Sequence, residues 1–133
     1  MELQKRKHPR LKDYDYSLPG YYYVTIHIEK DEVLSEVGRG LAPAVYLTKA
    51  GKIAEQQLLA LQSRYSHVKI DKYVIMPTHI HAIICLVGEK ENNSRASLTD
   101  IICTYKSLTT RISNQQFSTP GKKRFQTSFM SLC

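Results

Sequence analysis

The sequence predicts an α+β fold in which one antiparallel sheet carries two helices on a single face. Three observations support this. Residues 21–29 are rich in β-branched and aromatic side chains, and 66–86 supply two further strands, the first alternating at Val68 and Ile70 and the second an apolar run broken by two histidines. Residues 48–63 and 97–113 place apolar residues at helical spacing. The order is strand, helix, strand, strand, helix, and 124–133 begins one more strand, which is the split β-α-β pattern. The length of 133 residues suits one domain with one core.

Taken in order, residues 1–20 read as a basic arm closed by Pro19-Gly20. Its Arg6, Arg10 and Lys12 are candidate phosphate contacts. Tyr14 and Tyr16 would either stack on bases or pack the arm onto the domain. The domain itself is expected over 21–133. In YYYVTIHIE, Val24, Ile26 and Ile28 share one face of a strand, while Tyr23, Thr25 and His27 share the other. A polar excursion follows, read as a hairpin insertion with Gly38 and Gly40 at its turn. Thr48 can cap a helix to about Ser63 with Ile53, Leu58, Leu59 and Leu61 as its apolar face. Ser97, with Asp100 three residues on, starts the second helix as a capping box. Its apolar stripe is Leu98, Ile101, Ile102, Tyr105, Leu108 and Ile112, and Lys106 and Arg111 fall off that stripe. The loop QQFSTPGKK then leads into RFQTSFMSLC.

The chemistry concentrates in YVIMPTHIHAIICLV, residues 73–87. His79 and His81 are two apart, so on a strand they project to the same face, about 7 Å apart along it. Paired neutral imidazoles suit a divalent metal. The alternative is a pair of satisfied structural histidines. Pro77 punctuates the strand immediately before them. The helices should cover one face of the sheet, and the histidines belong on the other.

The formal net charge of +7 favours a polyanionic partner, most often nucleic acid. Lys122, Lys123 and Arg124 form a second basic run and join Lys106 and Arg111 as candidate DNA contacts. Cys85, Cys103 and Cys133 show no CxxC spacing, and Cys85 lies in an apolar strand as an expected buried thiol. That predicts a reducing, cytoplasmic setting. No apolar run is long enough for a membrane helix, so no membrane partner is expected.

YVIMPTHIHAIICLV resembles the strand of the HUH single-tyrosine transposases, of the REP-associated, insertion sequence 200 type. The arm RLKDYDYSLPGYYYVTI, the helix SLTDIICTYKSLTTRI and the turn GKKRFQTSF are similar to the same family, in the same order. The resemblance implies a ferredoxin-like domain that cuts and rejoins single-stranded DNA at hairpin-associated sites through a tyrosine–phosphate link. It implies a divalent metal, Mg²⁺ or Mn²⁺, held by His79 and His81, with Thr78 where the family commonly has Asn. It also implies a nucleophilic tyrosine, and in some members a glutamine ligand, on a helix after the last strand. No tyrosine follows Tyr105 here, and the chain ends at Cys133 within the expected strand. The expectation is therefore a C-terminally truncated domain, lacking much of the last strand and the catalytic helix. Such a domain would bind single-stranded or hairpin DNA but not cleave it alone. Tyr105 is the best-placed substitute by position, although its apolar neighbours Ile101 and Leu108 mark it as core. The family's dimers suggest a homodimer, or a heterodimer with a full-length relative. Two rivals stand beside this reading. One is a small non-catalytic nucleic-acid-binding module with Tyr23 and Tyr73 as sheet aromatics. The other is a metal-dependent hydrolase, for which no acidic cluster is evident.

Overall fold

The computed structural model describes residues 15–29, 33–37, 45–88 and 95–126. Among these residues, five strands and two helices follow one another as β1 (Gly20–His27), β2 (Ser35–Val37), β3 (Val45–Leu47), α1 (Lys49–Arg64), β4 (Val68–Ile75), β5 (His79–Leu86) and α2 (Leu98–Phe117). The fold is α+β. A three-stranded antiparallel sheet has the order β1-β5-β4, and β2 and β3 pair separately as a short antiparallel ribbon. The ribbon matches the expected hairpin insertion; its turn, with Gly38 and Gly40, lies outside the described residues, as do Arg6, Arg10, Lys12 and Tyr14.

The sheet order follows from the connections. β4 and β5 form a tight hairpin through Pro77-Thr78, where the Met76 amide donates to the His79 carbonyl at 2.8 Å. β1 reaches the far edge of β5, and α1 crosses over between β1 and β4. Beyond β1 the fourth position of the ferredoxin-like order begins. Ile28 bridges Phe125 in antiparallel sense, with Glu29 N donating to Arg124 O at 3.0 Å and Gln126 N to His27 O at 2.9 Å.

One face of the sheet is the core. Val24, Ile26, Ile80, Ala82, Ile84 and Leu86 point into it and meet Ala54, Leu58, Leu61, Leu98, Ile101, Ile102 and Tyr105 from the helices. Val24, Ile26 and Ile28 share the core face as the sequence predicts, and Val68 and Ile70 lie on the same side. A register shift between Ile70 and Lys72 adds a residue to β4, so Tyr73 lies opposite Ala82 and packs on the core side. Tyr73 therefore does not share a face with Tyr23, contrary to its expected pairing as a sheet aromatic. Its hydroxyl donates to Glu55 Oε2 at 2.8 Å, and this bond, with burial and the carboxylate charge behind it, raises the phenol pKa.

Both helix starts are capped as the sequence predicts. Thr48 Oγ1 accepts from Gly51 N at 3.0 Å, and Ser97 and Asp100 form a reciprocal capping box. α2 runs about one turn past the expected Ser113, to Phe117, and ends on Ser118 in the left-handed conformation. On α1, Leu59 turns outward where a core role was expected, and Gly51 and Ala54 occupy the buried stripe instead. Cys85 is a free thiol, half-buried on the open sheet face rather than fully buried. Tyr16 tilts against Tyr22 with ring centroids 6.0 Å apart and packs onto the core, so this part of the arm serves the fold. No helix among the described residues is long and apolar enough to cross a membrane.

Candidate metal centre

The two histidines stand on the sheet face turned away from the helices. Strand alternation puts Ile80 and Ala82 in the core and leaves His79 and His81 half-buried on the open side. Their ring centroids are 4.5 Å apart with the planes at 81°, nearly edge-on. Across the strand pair, His79 lies opposite His27 and His81 opposite Thr25.

Hydroxyl groups engage one nitrogen of each ring. Tyr23 Oη lies 2.8 Å and Thr25 Oγ1 3.1 Å from His81 Nδ1, and the Tyr23 and His81 rings stack with centroids 5.6 Å apart. Thr78 Oγ1 lies 3.2 Å from His79 Nδ1. Nε2 of both rings has no hydrogen-bond partner among the described residues. A metal-binding histidine typically fixes its ring by bonding through the other nitrogen in this manner. Burial, then the neighbouring imidazoles of His81 and His27, lower the pKa of His79. This favours the neutral ring, the form that binds metal. The donor chemistry of these two imidazoles suits a divalent ion. No three His, Cys, Asp or Glu side chains already form a metal cage among the described residues.

Tyr23 and Thr25 are the residues whose role sequence reasoning missed. Their shared face with His27 is visible in the alternation, but their register against His81 is a tertiary fact. Beside them, Tyr23, Lys72, Val74, His81 and Ile83 line an open depression of about 300 Å³. Tyr21 and Tyr23 are 71% and 63% exposed, which makes this face the aromatic one.

Tyr105 is a core residue. It is 1% exposed, its hydroxyl donates to Ala54 O at 2.9 Å, and burial raises its pKa strongly. It points into the helix–sheet interface, so a phosphodiester cannot approach it. Tyr105→Phe is expected to cost about 1 kcal/mol of stability through the lost hydrogen bond. Urea melts would show it.

The expected DNA contacts divide in two. Arg111 and Lys123 are exposed, and Lys123 Nζ sits 3.7 Å from Glu29. Lys106 and Arg124 are 7% and 6% exposed and turn inward, contrary to expectation. Lys106 Nζ donates to Gln126 O at 3.1 Å, and burial lowers its pKa. Arg124 donates to Asn114 Oδ1 and Thr119 Oγ1 and lies over the Phe117 ring. These two cations hold the segment after α2 against the helix. All four nevertheless border one cavity of about 310 Å³. Lys122 is half-buried, and its carbonyl accepts from Asn114 Nδ2 at 3.0 Å.

No family model and no solved structure matches the chain. A protein of Haemophilus influenzae described as uncharacterized is 32% identical over 87 residues, which is 65% of this chain. The match covers 47% of that relative, so the chain spans about half the length of the curated protein it is similar to.

Proposed function

We propose that this chain is a metal-binding, single-stranded or hairpin DNA-binding domain of the transposase type, the type that cuts and rejoins DNA. The carrying observation is the His79/His81 pair on the open sheet face, with a hydroxyl at one nitrogen of each ring and the other nitrogen unpartnered among the described residues. His79 and His81 would hold the ion. When bound, a divalent ion polarises phosphate oxygens and stabilises charge developing on them. Tyr23 and Thr25 set the His81 ring, Thr78 sets His79, and Arg111 and Lys123 add positive surface. Tyr105 is buried and does not serve as the nucleophile.

The test is a binding and cleavage assay on labelled single-stranded DNA carrying hairpins, with Mg²⁺ or Mn²⁺ present. Binding is expected, and failure to bind any single-stranded or hairpin DNA overturns the reading. Affinity should fall steeply with salt, with a log–log slope of roughly −0.7 per phosphate neutralised on single strands. A flat salt response would remove the basic residues as phosphate contacts.

The exposed Tyr21 and Tyr23 favour one alternative, a non-catalytic module that stacks bases on its sheet. In that case Tyr23→Ala weakens DNA binding whether or not metal is present. If the histidine centre dominates, the effect appears only with metal.

A further inference from the structure

The register of β1 against β5 brings a third imidazole to the histidine pair. His27 lies directly opposite His79, on the same open face, and their ring centroids are 5.5 Å apart. His79 and His81 are 4.5 Å apart by the same measure. An imidazole bound at about 2.0–2.1 Å puts its ring centre about 3.2 Å from the ion, so two such rings at ligand angles of about 90–120° lie about 4.5–5.5 Å apart. Both observed separations fall in that window.

We propose that His27, His79 and His81 together form a three-nitrogen site that takes a borderline transition metal, Zn²⁺, Co²⁺ or Ni²⁺, in preference to Mg²⁺. The inference rests on the reading of His79 and His81 as ligands and adds the third donor and the class of metal. Imidazole nitrogens suit these ions, whereas Mg²⁺ seeks oxygen donors in an octahedral shell. The groups hydrogen-bonded to two of the rings are hydroxyls: Thr25 and Tyr23 at His81, and Thr78 at His79. Because no three ligating side chains yet converge among the described residues, closure requires His27 to turn about its side-chain bonds. Its ring makes no hydrogen bond among the described residues that would resist this. Three histidines leave a fourth position open, the arrangement of a metal that meets a substrate oxygen.

The experiment is a Co²⁺ titration of the full chain, followed by visible absorption, with Zn²⁺ and Mg²⁺ as competitors and circular dichroism to verify folding. The wild type is expected to bind Co²⁺, to lose it to Zn²⁺ and to keep it against equal Mg²⁺. His27→Ala should weaken Co²⁺ binding by at least about tenfold, since even groups that only orient a ligand are worth about 10–100-fold. His27→Cys should retain binding and gain a near-ultraviolet thiolate-to-cobalt band. The wild type, with Cys85 on the same face, serves as the blank. Wild-type affinity in folded His27→Ala, or no new band in folded His27→Cys, overturns the role of His27. If Mg²⁺ displaces Co²⁺ as well as Zn²⁺ does, the metal class is wrong. His79→Ala with His81→Ala separates the two levels. If that double variant binds Co²⁺ like the wild type, the underlying pair assignment fails. If it loses Co²⁺ while His27→Ala does not, only the third ligand fails.

Discussion

Gly51→Ala is expected to destabilise the domain by about 3 kcal/mol or more. In an exposed helix interior the same change stabilises by about 1 kcal/mol, because alanine is the better helix former. Here the sign reverses for a steric reason. A Cβ on Gly51 would meet the Leu34 carbonyl oxygen well inside contact distance and stand 3.0 Å from its carbonyl carbon. The obstacle is main chain, and it is held from both sides. Leu34 N donates to Pro77 O at 2.9 Å, and Leu34 O accepts from Thr48 N at 2.9 Å. Relieving the clash would lift α1 or pull Leu34 off the Pro77 turn that precedes His79. Urea denaturation is the direct measurement, and a midpoint equal to or above that of the wild type would refute the argument. A partly folded variant should also bind metal more weakly, since the turn that sets His79 is disturbed.

His79→Ala combined with His81→Ala is expected to abolish Mg²⁺ or Mn²⁺ binding, a loss of at least about 100-fold, with nonspecific DNA affinity largely spared. Both rings are half-buried on the open face, and neither contributes to the core. The fold should therefore survive, and the loss can be read as lost ligation. Calorimetric metal titration together with filter binding on single-stranded DNA would decide it. Unchanged metal affinity would falsify the ligand assignment, whereas parallel loss of DNA binding without metal would give the histidines a direct DNA role.

Much of this architecture is legible in the sequence because the alternation is strong and the caps are local. The faces of β1 and β5 follow from period two, and Ser97 with Asp100 announces α2 within four residues. What escapes depends on pairing between distant segments. Nothing near His27 in sequence shows that it will stand opposite His79. Tyr73 changes its expected role because one extra residue in β4 shifts the register. Lys106 and Arg124 look like surface cations until the segment after α2 folds back and gives them carbonyl, amide and hydroxyl partners. Gly51 looks like a weak point in α1, yet its missing side chain is what admits the Leu34 backbone.

The antiparallel register of β1 with β5 also bears on the order of folding. β4 and β5 are neighbours in sequence, so their hairpin closes early and sets the spacing of His79 and His81 by itself. β1 must wait. The ribbon, α1 and β4 all lie between it and its partner, and closing so large a loop is slow. His27 and the hydroxyls of Tyr23 and Thr25 thus reach the centre only at that late docking step. An ion held by both strands would stabilise the docked state against its loss, so metal should slow unfolding more than it speeds folding.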